Sequence, residues 1–226
     1  MPLRARRLRT LVKGSAVDHG AVTTAQDLSS EARAGLTELV IRGMARGDLD
    51  PALAPAVQAG LVLAKGPIIM PTPTGTALVG MWLRLADDAP ERERITRTFH
   101  AFLPVNRRLR ELCTAWQVRP DGSVNDHGDT GYDADVRDRL DDIHDSVSPL
   151  LGRFAQDLPR TAPYRARLEA ALVKLDDGDN TWFASPLLDS YHTVWMHLHQ
   201  DLILALGLTR AEDEALEERL VAGPAE

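Results

Sequence analysis

Apolar residues recur at helical spacing along most of this chain and gather into β-like runs at one place. From residue 95 onward, Ile95, Phe99, Phe102, Val105, Leu109, Leu112 and Trp116 follow one another at steps of three and four. That spacing draws one stripe down a helix. Val136, Leu140, Ile143, Val147, Leu151, Phe154 and Leu158 draw a second stripe, and Tyr164, Leu168, Leu172 and Leu175 a shorter third. Prolines interrupt the first two at Pro104 and Pro149. A proline inside a helix costs ~3 kcal/mol, so a kink or break is expected at Pro104. Ser185-Pro186 reads as an N-cap with proline in the first helical position, opening a helix that carries Leu188, Tyr191, Trp195, Leu198 and Leu202 and stops near Gly207. Thr209-Arg210-Ala211-Glu212 is a capping-box pattern for a last helix.

The first 85 residues are built differently. Leu3, Leu8, Leu11 and Val12 suit a helix over 3–13, and Val22, Ala25 and Leu28 a short one over 18–27. Ser29-Ser30-Glu31 then starts a third over 30–44, with Leu36, Leu39, Val40 and Met44 on one side and Gly47 as its stop. After a long connection, Gly60-Leu61-Val62 leads through Lys65-Gly66 to Ile68-Ile69-Met70, which predicts a hairpin at about 61–72. A helix over 76–86 follows. Three short helices and a hairpin are the pattern of a winged helix-turn-helix. The expected fold class is therefore mainly α: a winged helix-turn-helix with a small β-hairpin over 1–85, then a helical bundle over 86–226.

Charge sharpens the division. Residues 1–46 hold eight basic and four acidic residues, a net of +4, while the whole chain is −7; the remainder is therefore −11. A basic head on an acidic body suits a separate DNA-binding module. Arg4, Arg6, Arg7 and Arg9 are placed to contact phosphates. Ser29, Ser30, Arg33 and Thr37 are the residues the third helix offers to bases, and Lys65 stands at the hairpin tip. A single cysteine, Cys113, permits no intrachain disulfide, and no long apolar run follows the basic first residues. A cytoplasmic protein with no membrane association is expected.

Two stretches, FLPVNRRLRELCTAWQVRP with the following NDHGD, and DSYHTVWMHLHQDLILALG, resemble the C-terminal helical region of a group of actinobacterial winged-helix (MarR/PadR-like) transcriptional regulators. The resemblance is close over residues 95–207 and looser over 1–85. There, Met70-Pro71-Thr72-Pro73-Thr74-Gly75 is similar to the Leu-Thr-Pro-x-Gly end of the wing in such proteins. It implies a DNA-binding transcriptional regulator. Long amphipathic helices with a continuous apolar face favour a homodimer, as DNA half-sites usually demand two-fold symmetry, and the helical domain is expected to sense a small-molecule effector. The link from Ala45 to Gly60 is longer than that pattern has.

The second domain also sets polar groups among apolar ones. His192, Trp195 and His199 fall within about 60° on one helix face, beside Tyr191. Asn106, Trp116 and Gln117 come from the first long helix, and Asn125, His127 and Asp129 from the loop after it. These ten are the candidate ligand-binding residues. A cavity lined by His192, Trp195 and His199, with the loop over 125–129 beside it, is expected. Seven residues of helix rise ~10.5 Å, too far for His192 and His199 to chelate one ion. No metal, cofactor or catalytic residue is assigned, and Cys113 reads as a buried thiol. The same cluster is open to four readings: a small-molecule pocket, a satisfied buried network that sets helix register, a metal site that joins His127 or Asp129 to one of the α-helical histidines, or the site of an enzyme or ligand-binding protein on a degenerate regulator scaffold.

Overall fold

The computed structural model describes residues 28–222, so the two helices predicted over 3–13 and 18–27, and Arg4, Arg6, Arg7 and Arg9 with them, lie outside the described residues. The chain is mainly helical with one small antiparallel sheet, and it divides into two compact units, 1–76 and 77–226.

In the first unit, α1 spans Ser30–Arg42. Its N-cap is Ser29, whose hydroxyl accepts from the Ala32 N–H at 3.1 Å. It ends earlier than expected. Gly43, at a φ of 77°, returns its N–H to the Leu39 carbonyl and ends the helix ahead of Gly47, which leaves Met44 outside the helix and exposed. The long connection is also not a plain link. It holds β1 (Ala45–Arg46), a 3₁₀ turn at Pro51–Leu53 and the short α2 (Ala54–Gln58). The expected hairpin is present as β2 (Val62–Lys65) and β3 (Ile68–Pro71), in register Leu63↔Met70 and Lys65↔Ile68 around Gly66. Strand β1 pairs with the other edge of β3, so the hairpin belongs to a three-stranded sheet of order β1-β3-β2. Leu36, Leu39, Val40, Leu53, Ala56, Leu61, Val62 and Ile69 form the core of this unit.

The string after the hairpin has a physical explanation. Thr72 donates its hydroxyl to the Gly60 carbonyl at 2.8 Å and accepts the Gly75 N–H at 3.1 Å, which ties the hairpin base to the next turn. Pro73 opens α3 (Pro73–Leu83), where its missing N–H costs nothing. The helix runs three residues earlier at each end than predicted. Gly75 lies so close to the Leu61 carbonyl that a Cβ there would fall 2.2 Å from its oxygen.

The second unit is organised by two long helices, α4 (Pro90–Gln117) and α5 (Thr130–Asp157). They run antiparallel. Arg94 meets Asp157 at one end, Arg108 meets Ser146 midway, and the Tyr132 hydroxyl donates to the Ala115 carbonyl at the other. Every apolar residue of the two long stripes is buried. Neither proline breaks its helix. Both Pro104 and Pro149 are exposed, so the carbonyl each one leaves unpaired a turn earlier lies on the water side and the apolar stripe stays continuous. Three further helices complete the unit: α6 (Pro163–Asp176), α7 (Tyr191–Leu206) and α8 (Arg210–Ala222). The start of α7 differs from expectation. Ser190 is its N-cap, accepting from the Thr193 N–H, while Ser185-Pro186 belongs to the preceding turn and Leu188 is exposed. The capping box of α8 forms as the sequence suggests: the Thr209 N–H donates to Glu212 at 2.7 Å and the Glu212 N–H to Thr209 Oγ1 at 3.2 Å.

Two glycines in α3 test this packing. Gly75→Ala drives a methyl into the Leu61 carbonyl and is expected to destabilise the first unit by about 1–3 kcal/mol. Gly80→Ala meets nothing nearer than Leu204 Cδ2 at 3.8 Å, so the helix-propensity gain of up to about 1 kcal/mol is expected to prevail. Urea unfolding measures both, and amide exchange of β2 and β3 reports the first.

Candidate functional site

The polar residues singled out in the sequence fall into two groups inside the second unit. The first lies at the α4–α5 turn. Trp116 is buried near the end of α4, with Phe183 stacked on it at 4.2 Å and 7° and the His127 ring at 4.4 Å. Asn125 is buried and donates to the Trp116 carbonyl at 3.1 Å and to Asp133 Oδ1 at 2.8 Å. Asp133 Oδ2 lies 2.9 Å from His127 Nδ1. His127 takes a φ of 59°, a left-handed conformation uncommon outside glycine but tolerated by histidine better than by most residues. The hydrogen bond and the indole face hold it there. Gln117 is exposed, and its carbonyl accepts from the Asn125 N–H. Asp129 is the N-cap of α5; the Tyr132 N–H and the Arg119 guanidinium hold its carboxyl below the usual carboxylate range.

The second group lies where α4, α7 and α8 meet. Trp195 is fully buried in an aromatic column, with Phe102 at 5.0 Å and Tyr191 at 6.1 Å between ring centroids. Its indole N–H donates to Asn106 Oδ1 at 2.8 Å. That bond fixes the amide's orientation, and Asn106 Nδ2 then donates to Glu217 Oε2 at 2.9 Å. Glu217 Oε1 faces Arg110 Nη2 at 3.3 Å. Four residues earlier on α8, Asp213 Oδ1 meets His199 Nε2 at 3.2 Å, and the imidazole packs on Phe99 and Phe102. Asn106, His199, Asp213 and Glu217 are all at most 5% exposed. Over this group opens a cleft of about 230 Å³ lined by Arg110, Glu214, Glu217 and Glu218.

The expected cavity between His192, Trp195, His199 and the 125–129 loop is therefore rearranged. Trp195 and His199 do point inward with Asn106, but α8 supplies their polar partners and the loop packs on Trp116 and Asp133 instead. His192 is half-buried; its backbone N–H reaches the Phe183 carbonyl, and burial holds its pKa below the ordinary histidine value. The Tyr191 hydroxyl pairs with His144 at 3.2 Å. Asp133, Asp213, Glu217 and Arg110 were not singled out in the sequence. The available signal for the α8 pair was the capping box, which sets the helix register and puts positions 213 and 217 on one side. Among the described residues, no three His, Cys, Asp or Glu side chains converge to hold a metal ion. Burial pushes the Cys113 thiol up to about 12, which leaves it protonated and a poor nucleophile at neutral pH.

In the first unit, Ser29, Ser30, Arg33 and Lys65 are exposed and Thr37 half-exposed. The Arg33 guanidinium donates to the Leu28 carbonyl at 3.2 Å, and Arg42 pairs with Glu38 at 2.9 Å. Compared with known proteins, the chain matches no family model, no curated protein and no solved structure.

Two measurements check the interior. Trp195→Phe keeps a ring in the column but strands Asn106 Oδ1, and is expected to cost about 1–3 kcal/mol in chemical denaturation. Cys113 is expected to resist a thiol reagent at pH 8 in the folded protein and to react rapidly once denaturant is added.

Proposed function

We propose that this protein is a ligand-responsive DNA-binding regulator. Its first unit, together with the residues before it, acts as a winged helix on DNA, and its helical unit pairs two copies and senses a small molecule. The observation that carries this reading is the β2–β3 hairpin with its exposed Lys65-Gly66 tip. The hairpin is braced by β1 and preceded by α1, whose N-terminal turn exposes Ser29, Ser30 and Arg33. A cationic hairpin tip beside a polar helix start suits phosphate and groove contact. The basic residues of the first 46 positions add attraction for phosphate, against an otherwise acidic chain. A homodimer follows from the two-fold symmetry of most DNA half-sites. A cytoplasmic location fits this role; among the described residues no helix is long and apolar enough to cross a membrane.

A second reading has its own support. Arg33 and Arg42, the two cations of α1, are engaged with the Leu28 carbonyl and Glu38. A helix whose arginines are held by its own chain suits a ligand-binding protein on a regulator scaffold, with the polar cluster under α8 as its working part.

Gel retardation at low salt separates the two. Binding to DNA is expected, and replacing Arg4, Arg6, Arg7 and Arg9 by alanine should weaken it about equally for all sequences. The slope of log K against log salt should fall by ~0.9 for each phosphate that is no longer neutralised. No retardation of any DNA, including the region upstream of its own gene, removes the regulator reading and leaves the second.

A further inference from the structure

An antiparallel sheet that covers a core with one face ordinarily turns a polar face to water. The three-stranded sheet of the first unit does not. Its register puts Val62 and Ile69 on the buried face and Leu63, Met70, Ile68, Arg46 and Lys65 on the outer one. The outer residues stand in two rows. In one, Ile68 on the central strand lies between Arg46 on β1 and Lys65 on β2; in the next, Met70 is opposite Leu63. Leu63 is 50% exposed and Met70 38%, Arg46 and Lys65 are exposed, and Ile68 is half-exposed. No acidic side chain shares the face. The next acids along the chain, Asp48 and Asp50, lie beyond β1, where Asp50 caps the 3₁₀ turn. The alternation of a strand thus turns three apolar side chains and two cations outward, where the core of the unit gains nothing from them.

We propose that this outer face enters the minor groove of DNA and bends the duplex. Arg46 and Lys65 hold the phosphates of the two groove walls, and Leu63 and Met70 press between successive base pairs. Charge selects the occupant: two cations with no acid among them fit a polyanion. Spacing fits as well. Arg46 and Lys65 stand on the strands either side of β3, so their backbones are about 9–10 Å apart, and their long side chains can reach both walls of a groove ~6 Å wide. A phosphate partner alone would leave Leu63 and Met70 in water. Apolar wedges of this kind, set beside cations, are what minor-groove proteins insert at a base step to unstack it and kink the helix. This bending role rests on the DNA-binding reading proposed above, and adds to it the face that touches DNA and the effect on the duplex.

The test uses the full chain and a duplex of about 30 bp, short enough that smooth bending is costly, with a donor and an acceptor dye at its ends. Bending raises energy transfer. The unaltered protein is expected to bend an A·T-rich duplex within the ~20–90° range of wedge-forming proteins, and to bind a G·C duplex roughly tenfold more weakly. Inosine in place of guanine removes the N2 amino group from the minor groove and leaves the major groove unaltered, so it is expected to restore binding. The Leu63→Thr, Met70→Thr variant keeps strand propensity and is expected to bind with the same salt slope and no bend. In Arg46→Gln, Lys65→Gln the slope should fall by ~0.9 for each cation removed. Three results overturn the bending role and leave the regulator reading standing: binding by the unaltered protein without a bend, a bend that survives in the threonine variant, or an inosine exchange that changes nothing. An acidic protein as the occupant of this face corresponds to DNA binding that neither double variant alters, which also overturns it. If the threonine variant loses amide protection in β2 and β3, the energy-transfer and inosine measurements on the unaltered protein decide. Binding to no duplex at all removes the regulator reading and the bending role together.

Discussion

An indole N–H sealed away from water must give its proton to an acceptor or leave a group unpaired at a cost of about 1–3 kcal/mol. In this protein Trp195 is fully buried, and the requirement passes outward from it through the helical unit. Asn106 on α4 accepts the bond and is thereby turned; its amide then needs an acceptor of its own, which is Glu217 on α8; and Glu217 in turn engages Arg110. One buried donor thus ties three helices in a fixed register. The parallel contact of His199 with Asp213 repeats the arrangement one turn away. Apolar packing alone tolerates small slides of one helix over another, whereas a satisfied polar chain has one low-energy setting.

The long helices carry this chain because their apolar stripes are continuous. In α4 and α5 the prolines stand on the water side, so the carbonyls they orphan can be hydrated and the buried stripe is undisturbed. Salt bridges and hydrogen bonds at the two ends and the middle of the pair then set which turn faces which. The far end of the pair is closed by the second buried cluster. There Asn125 and Asp133 hold His127 in its left-handed conformation against Trp116. The His127–Asp133 pair belongs to the turn and the His199–Asp213 pair to the helix seam, so histidines that look alike in the sequence serve different joints.

Glu217 and Asp213 dock α8 on polar groups of α4 and α7. The first unit has the opposite character. Its sheet and α1 close around an apolar core, and the Gly75–Leu61 contact joins hairpin to helix with no room for a side chain. Its charged side chains among the described residues lie outside that core.

The long apolar stripes, the Lys65-Gly66 hairpin and the α8 capping box were legible in the sequence because each is a local pattern: a helix shows its buried face every three or four residues, a turn needs its glycine within two or three, and a cap lies beside what it caps. The same locality explains the misreadings. Gly47 and Ser185-Pro186 are chemically suited to end or begin a helix, and nothing in their neighbourhoods says that Gly43 and Ser190 take those roles. The pairing of β1 with β3 gave no signal, since two residues carry no period. The polar partners were the least legible. The loop over 125–129 lay closest in composition to the histidines of α7, but Trp195 found Asn106 at a separation of 89 residues, and Asn106 found Glu217 at 111. Sequence by itself determined which faces would be buried and where the hairpin would turn. Tertiary structure decided which buried polar groups would meet, because a hydrogen bond depends on distance in space, and positions far apart in the chain acquire that distance only when the helices have packed.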